Sequence, residues 1–159
     1  MGLMDAKEYD PRPAERRKKI ILGLVLVAVI VGVLWYFFRY WPEERVINKF
    51  FDAVERGDMQ SAYALYFNDT NWQQHPDQYN RYTFGQFQLD WGPSGEYGKI
   101  TSHHVECSTE PPNKGGASPS GVIVVVRINN RVETKSLWVE KKSKTITDSY
   151  QAVLCHGDR

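Results

Sequence analysis

The sequence contains few cysteines and almost no net charge, and each shortage excludes a class of protein. Two cysteines in 159 residues cannot build the dense disulfide framework of a small secreted scaffold. A formal net charge of +1 supplies no basic surface for phosphates, so we expect no nucleic-acid partner. A hydrophobic fraction of 42% argues against bulk disorder, and the length allows one ordinary domain with an appendage.

Charge is also missing from one continuous stretch, residues 20–38, in which every side chain is apolar, aromatic or glycine. A helix of this length rises about 28 Å, close to the roughly 30 Å thickness of a bilayer's hydrocarbon core. A core helix of a small soluble domain is seldom apolar on all sides. The stretch therefore predicts a helix that spans the lipid bilayer.

The flanks of this stretch predict its direction. Four basic residues occupy positions 16–19, whereas Arg39 is the nearest cation after the stretch. The positive-inside rule then puts the N-terminus in the cytoplasm, and Trp35, Tyr36, Tyr40 and Trp41 mark the outer interface. A cleavable signal peptide is the alternative, but its apolar region is shorter and a small-residue cleavage site follows it. We expect a cytoplasmic tail (1–19), a transmembrane helix with its outer interface (20–41) and an extracytoplasmic domain (42–159).

The extracytoplasmic part predicts an α+β fold with three helices packed on a curved four-stranded antiparallel sheet. Apolar residues recur at helical spacing after Pro42 and again after Asp58, and a third helix is expected from Pro76 to Trp91. From Gly98 the period changes to two. Strands are expected at 99–108, 121–129, 132–140 and 145–155.

The strand register decides which residues face the helices. A three-residue turn at Asn129 pairs Arg127 with Glu133 and gives one uncharged face, which we expect to pack against the helices. Candidate residues of the resulting pocket are Tyr63, Tyr66, Thr134, Ser136, Trp138, Thr147, Ser149 and Gln151. The opposite face is then an apolar interface for a protein partner or a second copy, formed by Ile123, Val125, Leu137, Val139, Ile146 and Tyr150.

The predicted pocket lacks a group that exchanges protons near neutral pH, so no catalytic residue is assigned. A register shifted by one residue would admit Asp148, Asp90 and Tyr82, and catalysis stays open on that condition. His103 and His104 are adjacent, hence on opposite faces of a strand, and cannot chelate one ion together. We expect no metal and no cofactor.

The two cysteines, Cys107 and Cys155, are expected to remain unpaired. They fall on the first and last strands of the predicted meander, which lie about 14 Å apart at about 4.8 Å per strand. A disulfide tolerates a Cα separation of only about 7 Å. Only a C-terminal tail that wraps back over the sheet would bring them together.

The stretch Asp-Ala-Val-Glu-Arg-Gly-Asp-Met-Gln-Ser-Ala-Tyr at 52–63, the strand entry Tyr-Gly-Lys-Ile-Thr-Ser at 97–102 and the Val-rich meander resemble the nuclear transport factor 2-like superfamily. The resemblance covers about residues 43–153 and implies a cone-shaped α+β domain. It departs from many relatives at Ser143-Lys144-Thr145-Ile146-Thr147, where a Gly-x-Trp-x-Ile tail is usual.

The layout, one anchor followed by a cone domain, is similar to an inner-membrane subunit family of type IV secretion channels. It implies an inner-membrane protein with a periplasmic domain that serves as a non-catalytic interaction or assembly module of a bacterial envelope complex. The alternative is a membrane-tethered small-ligand-binding protein or enzyme that uses the cone pocket.

Overall fold

The computed structural model describes residues 12–111, 119–149, 151, 153 and 155, and it divides the chain into two compact units at Arg39–Tyr40. The first unit is helix α1, Arg12–Phe38, whose side chains are exposed from Arg16 onward. By length and composition α1 can cross a membrane, and none of its apolar window is buried within the protein.

Three α-helices open the second unit: α2 (Trp41–Glu55), α3 (Met59–Phe67) and α4 (Phe84–Trp91). Pro42 lies in the first turn of α2, where its missing N–H costs no hydrogen bond. Asp58 caps α3 by accepting a hydrogen bond from the Ser61 backbone at 3.1 Å.

The third helix is shorter than the sequence predicted. Residues Pro76–Tyr79 form only a 3-10 turn, and α4 begins eight residues later than predicted, at Phe84. The reason is the capping box at Thr83, whose side chain accepts from the Gln86 backbone while the Gln86 side chain accepts from the Thr83 backbone. These reciprocal bonds fix a new helix start.

The sheet contains β1 (His103–Thr109), β2 (Gly121–Ile128), β3 (Thr134–Glu140) and β4 (Ile146–Asp148) in the order β1-β2-β3-β4. All three pairings are antiparallel. The predicted α+β class and four-stranded antiparallel sheet are confirmed. Strand β4 ends at Asp148, whereas the sequence predicted a strand that continues to Cys155.

The predicted register between β2 and β3 was wrong by one residue. Arg127 pairs with Thr134 rather than Glu133, and Val124 pairs with Leu137. Asn129 and Asn130 both have left-handed backbones, at φ 51° and 54°, and the Arg131 N–H donates to the Ile128 carbonyl at 3.0 Å. This is a two-residue turn, after which residues 131–133 stand outside the ladder before β3 begins. A one-residue slip moves every β3 side chain to the other face.

The core lies on the side of the sheet that faces the helices, which we call the helix side. Val124 and Leu137 contribute from the sheet, and Ile47, Phe50 and Phe51 contribute from α2. The Phe50 ring contacts four other rings at centroid distances of 5.1 to 6.1 Å, those of Phe51, Tyr66, Phe87 and Trp91. Edge-to-face aromatic packing therefore fills this side.

The opposite face of the sheet, the outer side, is also apolar along β2. Ile123 and Val125 are each only 1% exposed. Cys107, which pairs with Val125, forms a disulfide with Cys155 at a Cα separation of 5.8 Å. The prediction of unpaired cysteines was wrong.

The path of the C-terminal segment explains that error. The Ser149 N–H donates to the Ser136 carbonyl, on the β3–β4 half of the sheet, whereas Cys155 lies against β1 at the other edge. Ser149 and Cys155 therefore lie at opposite edges of the sheet, and the segment 149–155, whose six residue steps extend to about 20 Å, is long enough to join them. We call this segment the strap; of its members Ser149, Gln151, Val153 and Cys155 are described, and all four are half-buried.

Candidate functional site

The predicted pocket residues do not share one pocket. Tyr63 and Tyr66 lie in the helix-side core, at 1% and 7% exposure. The corrected register puts the four sheet residues on the outer side, namely Thr134, Ser136, Trp138 and Thr147. The other two candidates, Ser149 and Gln151, lie in the strap. The sheet therefore separates the two tyrosines from the other six.

Aromatic rings occupy the space where the pocket was expected. The Tyr63 ring contacts Trp72, Phe84 and Phe87 at centroid distances of 4.8 to 5.3 Å, and its hydroxyl donates to the Tyr82 carbonyl at 2.7 Å. Burial raises the Tyr63 pKa, so its phenol stays protonated at neutral pH. Tyr63 is thus a structural hydrogen-bond donor in a packed cluster.

The six interface candidates do not form one exposed patch. Leu137, Val139 and Ile146 lie on the helix side and are fully buried in the core. Ile123 and Val125 lie on the outer side but are buried there. Tyr150 lies outside the described residues.

Trp138 is the partly exposed aromatic residue that the corrected register places on the outer side. It pairs with Ile123 and Thr147 across the ladder, and its indole N–H donates to Glu140 Oε2 at 3.3 Å. Its ring lies over Gly121, where a Cβ atom would overlap the indole. The Trp138 ring therefore packs on Gly121, the first residue of β2.

The one-residue shift in register also brings Asp148 to the helix side. This was the condition on which the sequence analysis left catalysis open. Asp148 pairs with Leu137, and its carboxylate lies 3.0 Å from Lys135 Nζ. The Tyr82 hydroxyl donates to Asp90 Oδ2 at 2.8 Å. Burial, followed by the charges of Asp148 and Asp90, raises the Tyr66 pKa, and burial with the Asp90 hydrogen bond raises that of Tyr82. Both phenols are neutral at pH 7 and can donate a hydrogen bond.

A second polar cluster, which we call the α2–β1 cluster, lies where the end of α2 meets the start of β1. His103 Nδ1 lies 2.6 Å from Glu55 Oε1, and His103 Nε2 lies 3.1 Å from Asn48 Oδ1. Asp52 adds a carboxylate, and one ligand atom each from Asp52, Glu55 and His103 lie within 4.8 Å of one another. The imidazole stacks on the Phe51 ring at a centroid distance of 5.1 Å and an interplanar angle of 19°.

Two surface clefts lie near these elements. One of about 260 Å³ shares Glu55 with the α2–β1 cluster and is also lined by Arg56, Trp91, Lys99 and Ile100. The other, of about 470 Å³, lies along α3 and is lined by Gln60, Ser61, Ala64, Leu65, Asn68, Thr70, Trp72 and Gln73. No lining residue of the α3 cleft is ionisable, so acid–base chemistry has no group there.

Sequence reasoning missed the α2–β1 cluster. It correctly separated the two histidines, since His104 is exposed and pairs with Arg127 whereas His103 faces the helices beside Ile128. The signal that was overlooked is the spacing of Asn48, Asp52 and Glu55, which puts three oxygen-bearing side chains on one face of α2. Only the docking of β1 on that face adds the histidine.

Comparison with protein-family models, with curated proteins and with solved structures gives no match to this chain.

Proposed function

We propose that the chain is a single-pass protein of a bacterial inner membrane, with its N-terminus in the cytoplasm and the unit from Pro42 onward in the periplasm. The uncharged stretch at 20–38 provides the span, and the basic residues at 16–19 provide the orientation. Trp35, Tyr36 and Trp41 suit the headgroup layer on the outer side.

The observation that carries this proposal is the disulfide between Cys107 and Cys155. Disulfides persist in oxidising compartments such as the periplasm, whereas thioredoxin and glutathione keep cytosolic thiols reduced. The charge asymmetry around α1 and the pairing of the cysteines thus both support a periplasmic location of the second unit, by independent physical arguments.

Thiol trapping in cells tests the location. Cells that express the full chain are quenched with acid and denatured with a large maleimide reagent, with and without prior reduction. We expect labelling of both cysteines only after reduction, and digestion of the second unit by protease added to intact spheroplasts. Labelling without reduction, or a mature protein that begins after residue 38, would contradict the proposal.

For the second unit we propose a nuclear transport factor 2-like domain that acts as a non-catalytic interaction or assembly module of an envelope complex, similar in layout to a subunit of type IV secretion channels. The stretches at 52–63 and 97–102 support the family, and the packed aromatic core supports a role without catalysis. Partly exposed Trp138 supports recognition of a protein partner or a second copy on the outer side, because tryptophan is enriched in protein interfaces.

Site-specific photo-crosslinking tests this role. A photoreactive residue is placed at Thr147, which is exposed on the outer side, and at Gln88, an equally exposed control on α4. We expect an adduct from Thr147 and none from Gln88, and a second copy is recognised by an adduct of twice the 18.4 kDa chain. Equal adducts from both positions, or none, would contradict an interface on the outer side.

A second candidate function, binding of a small polar ligand or catalysis on the helix side, is favoured by the grouping of Tyr66, Tyr82, Asp90 and Asp148. Two neutral phenols and two carboxylates can hold a ligand that both accepts and donates hydrogen bonds. Replacing Tyr82 with Phe removes one donor without changing the ring. If this function operates, that variant loses ligand binding or turnover, whereas crosslinking from Thr147 is unchanged.

A further inference from the structure

We propose that the α2–β1 cluster is a binding site for one divalent transition-metal ion, with zinc as the probe, held by Asp52, Glu55 and His103 Nδ1. The site goes beyond the interaction role proposed above, since it lies at the helix–sheet junction and involves none of the outer-side residues. Four features of the cluster support it.

The first is the set of donors. Two carboxylates and one imidazole are ligands that zinc accepts, and three protein ligands with an open position are usual for a zinc site that also binds water. The donors come from two elements, the last turns of α2 and the first residue of β1. Their convergence depends on the fold as a whole and is not a run of acids along one surface.

The second is the spacing. Zinc bonds of about 2.0–2.2 Å put neighbouring tetrahedral ligand atoms roughly 3.3–3.5 Å apart. The three candidate atoms already lie within 4.8 Å of one another. Asp52 is exposed, so its side chain can rotate toward an ion. The Glu55 carboxylate, 2.6 Å from His103 Nδ1, has to move back by about 0.7–0.9 Å to reach the same spacing.

The third is the state of the His103 ring. Nε2 faces Asn48 Oδ1 at 3.1 Å, and because that oxygen accepts, Nε2 must donate its proton. In the neutral imidazole this leaves the Nδ1 lone pair directed at the Glu55 carboxylate, 2.6 Å away. Two lone pairs repel at that distance unless a proton or a cation lies between them. A metal ion satisfies both, and the Asn48 bond is the outer hydrogen bond that zinc-ligating histidines commonly make.

The fourth is preorganisation. The Phe51 ring, itself fully buried, stacks on the imidazole and fixes its plane. The His103 side chain is only 11% exposed, whereas Glu55 opens into the 260 Å³ cleft. The histidine is therefore held rigidly while the ion reaches the site from solvent.

Zinc titration of the full chain in mild detergent, after removal of any polyhistidine tag, tests the proposal. The disulfide leaves no free thiol to compete for zinc. We expect one bound ion per chain, a higher melting temperature in its presence, and cobalt absorption bands typical of an imidazole-carboxylate site. Asp52→Asn should weaken binding at least about tenfold, and Asn48→Ala by about 10- to 100-fold.

The matched control is His104→Gln, which alters the neighbouring histidine on the opposite face of β1 and should bind zinc as the unmodified chain does. His103→Gln should abolish binding; if that variant fails to fold, Asp52→Asn decides, because Asp52 is exposed and its replacement leaves the core intact. The proposal is overturned if the unmodified chain takes up no zinc in a saturable manner, if Asp52→Asn binds unchanged, or if His104→Gln loses as much affinity as Asp52→Asn. In the first case a proton bridges His103 and Glu55 instead.

Discussion

Both sides of the sheet carry buried apolar residues along β2, but the two sides are covered in different ways. On the helix side, Val124 belongs to a core cluster that includes residues of three helices, several of them aromatic. On the outer side, Val125 is buried to a similar extent, and within the described part of the chain the Trp138 ring, the strap and the disulfide lie on this side. The helix side is stabilised by a packed core shared with three helices, whereas on the outer side a disulfide ties the strap to β1. The two sides should therefore respond differently to the same change.

Removal of the disulfide should have the largest effect. Cys107 and Cys155 are 48 residues apart, and the loss of a loop of that size destabilises the folded state by about 4 kcal/mol in the chain-entropy model. Denaturation of the Cys107→Ser/Cys155→Ser variant, followed by tryptophan fluorescence, measures the loss. An unchanged midpoint would mean that the strap is held by its contacts alone, and the two sides would then be alike.

Gly121→Ala should have the next largest effect, because it acts where Trp138 covers the outer side. The added Cβ atom would overlap the Trp138 indole and lie 2.6 Å from the Val139 carbonyl oxygen. Overpacking typically destabilises a protein by about 1–3 kcal/mol, and we expect about 3 kcal/mol here because one of the overlapping neighbours is a backbone atom, which cannot rotate away. Gly85→Ala is the control, since no atom lies within 4 Å of a Cβ atom there. Equal melting temperatures for the two variants would show that Trp138 simply moves aside.

A matched pair of valines sharpens the comparison further. Val124→Ala and Val125→Ala each delete the same two methyl groups from buried positions, so each should cost about 2 kcal/mol in the disulfide-bonded protein. Without the disulfide the strap is released, and Val125 becomes exposed. The cost of Val125→Ala should then fall by about 1 kcal/mol, whereas that of Val124→Ala should not change.

One outcome of this double-mutant cycle would contradict the prediction that the strap stabilises the outer side alone. If removal of the disulfide lowers the cost of both valine substitutions equally, the strap stabilises the whole domain rather than the outer side. The free energies of unfolding come from chemical denaturation of the parent protein and five variants. These are the two valine variants, the disulfide variant and its combination with each valine substitution.

The residues that misled the sequence interpretation show what can be read from a sequence and what cannot. The valines of β2 and the stripe on α2 predicted a sheet under helices correctly, because burial follows from local hydrophobic pattern. The number of residues in the turn between β2 and β3 was predicted wrongly, because pairing Arg127 with Glu133 favoured a three-residue turn. In the structure Arg127 forms an ion pair with Glu106 on the other neighbouring strand. A charge at the centre of a sheet has two possible partner strands, and the sequence alone does not choose between them.

The cysteines and the α2–β1 cluster were missed for a related reason. The distance argument against a disulfide assumed that the last strand runs to Cys155, but β4 has three residues and the chain then leaves the ladder. His103 gains its carboxylate neighbours only when β1 docks on α2. Both features are long-range contacts, which local periodicity does not encode.

The smallest effect concerns the ion pair between Glu106 and Arg127 on the outer side. The hydrogen bond from Arg127 holds the Glu106 pKa below its ordinary value of 4.5, against the opposing effect of burial. A carboxyl group whose pKa is lowered in the folded state stabilises that state while it is ionised. Its contribution is therefore complete above the ordinary value and is lost as the pH falls below it.

Melting temperatures of the parent chain and of Glu106→Gln, measured between pH 7 and pH 3, isolate this contribution. The parent should be more stable by a few degrees at pH 7, and the difference should shrink as the pH falls below 4.5 and the Glu106 carboxyl group takes up a proton. Asp58 and Asp69 also have lowered pKa values, because each carboxylate accepts hydrogen bonds, but both are present in the two proteins and cancel. A difference that does not shrink as the pH falls would show that Glu106 acts through packing at the irregularity in β1 between Val105 and Cys107 rather than through its charge. The outer side would then resemble the helix side in the kind of interaction that stabilises it.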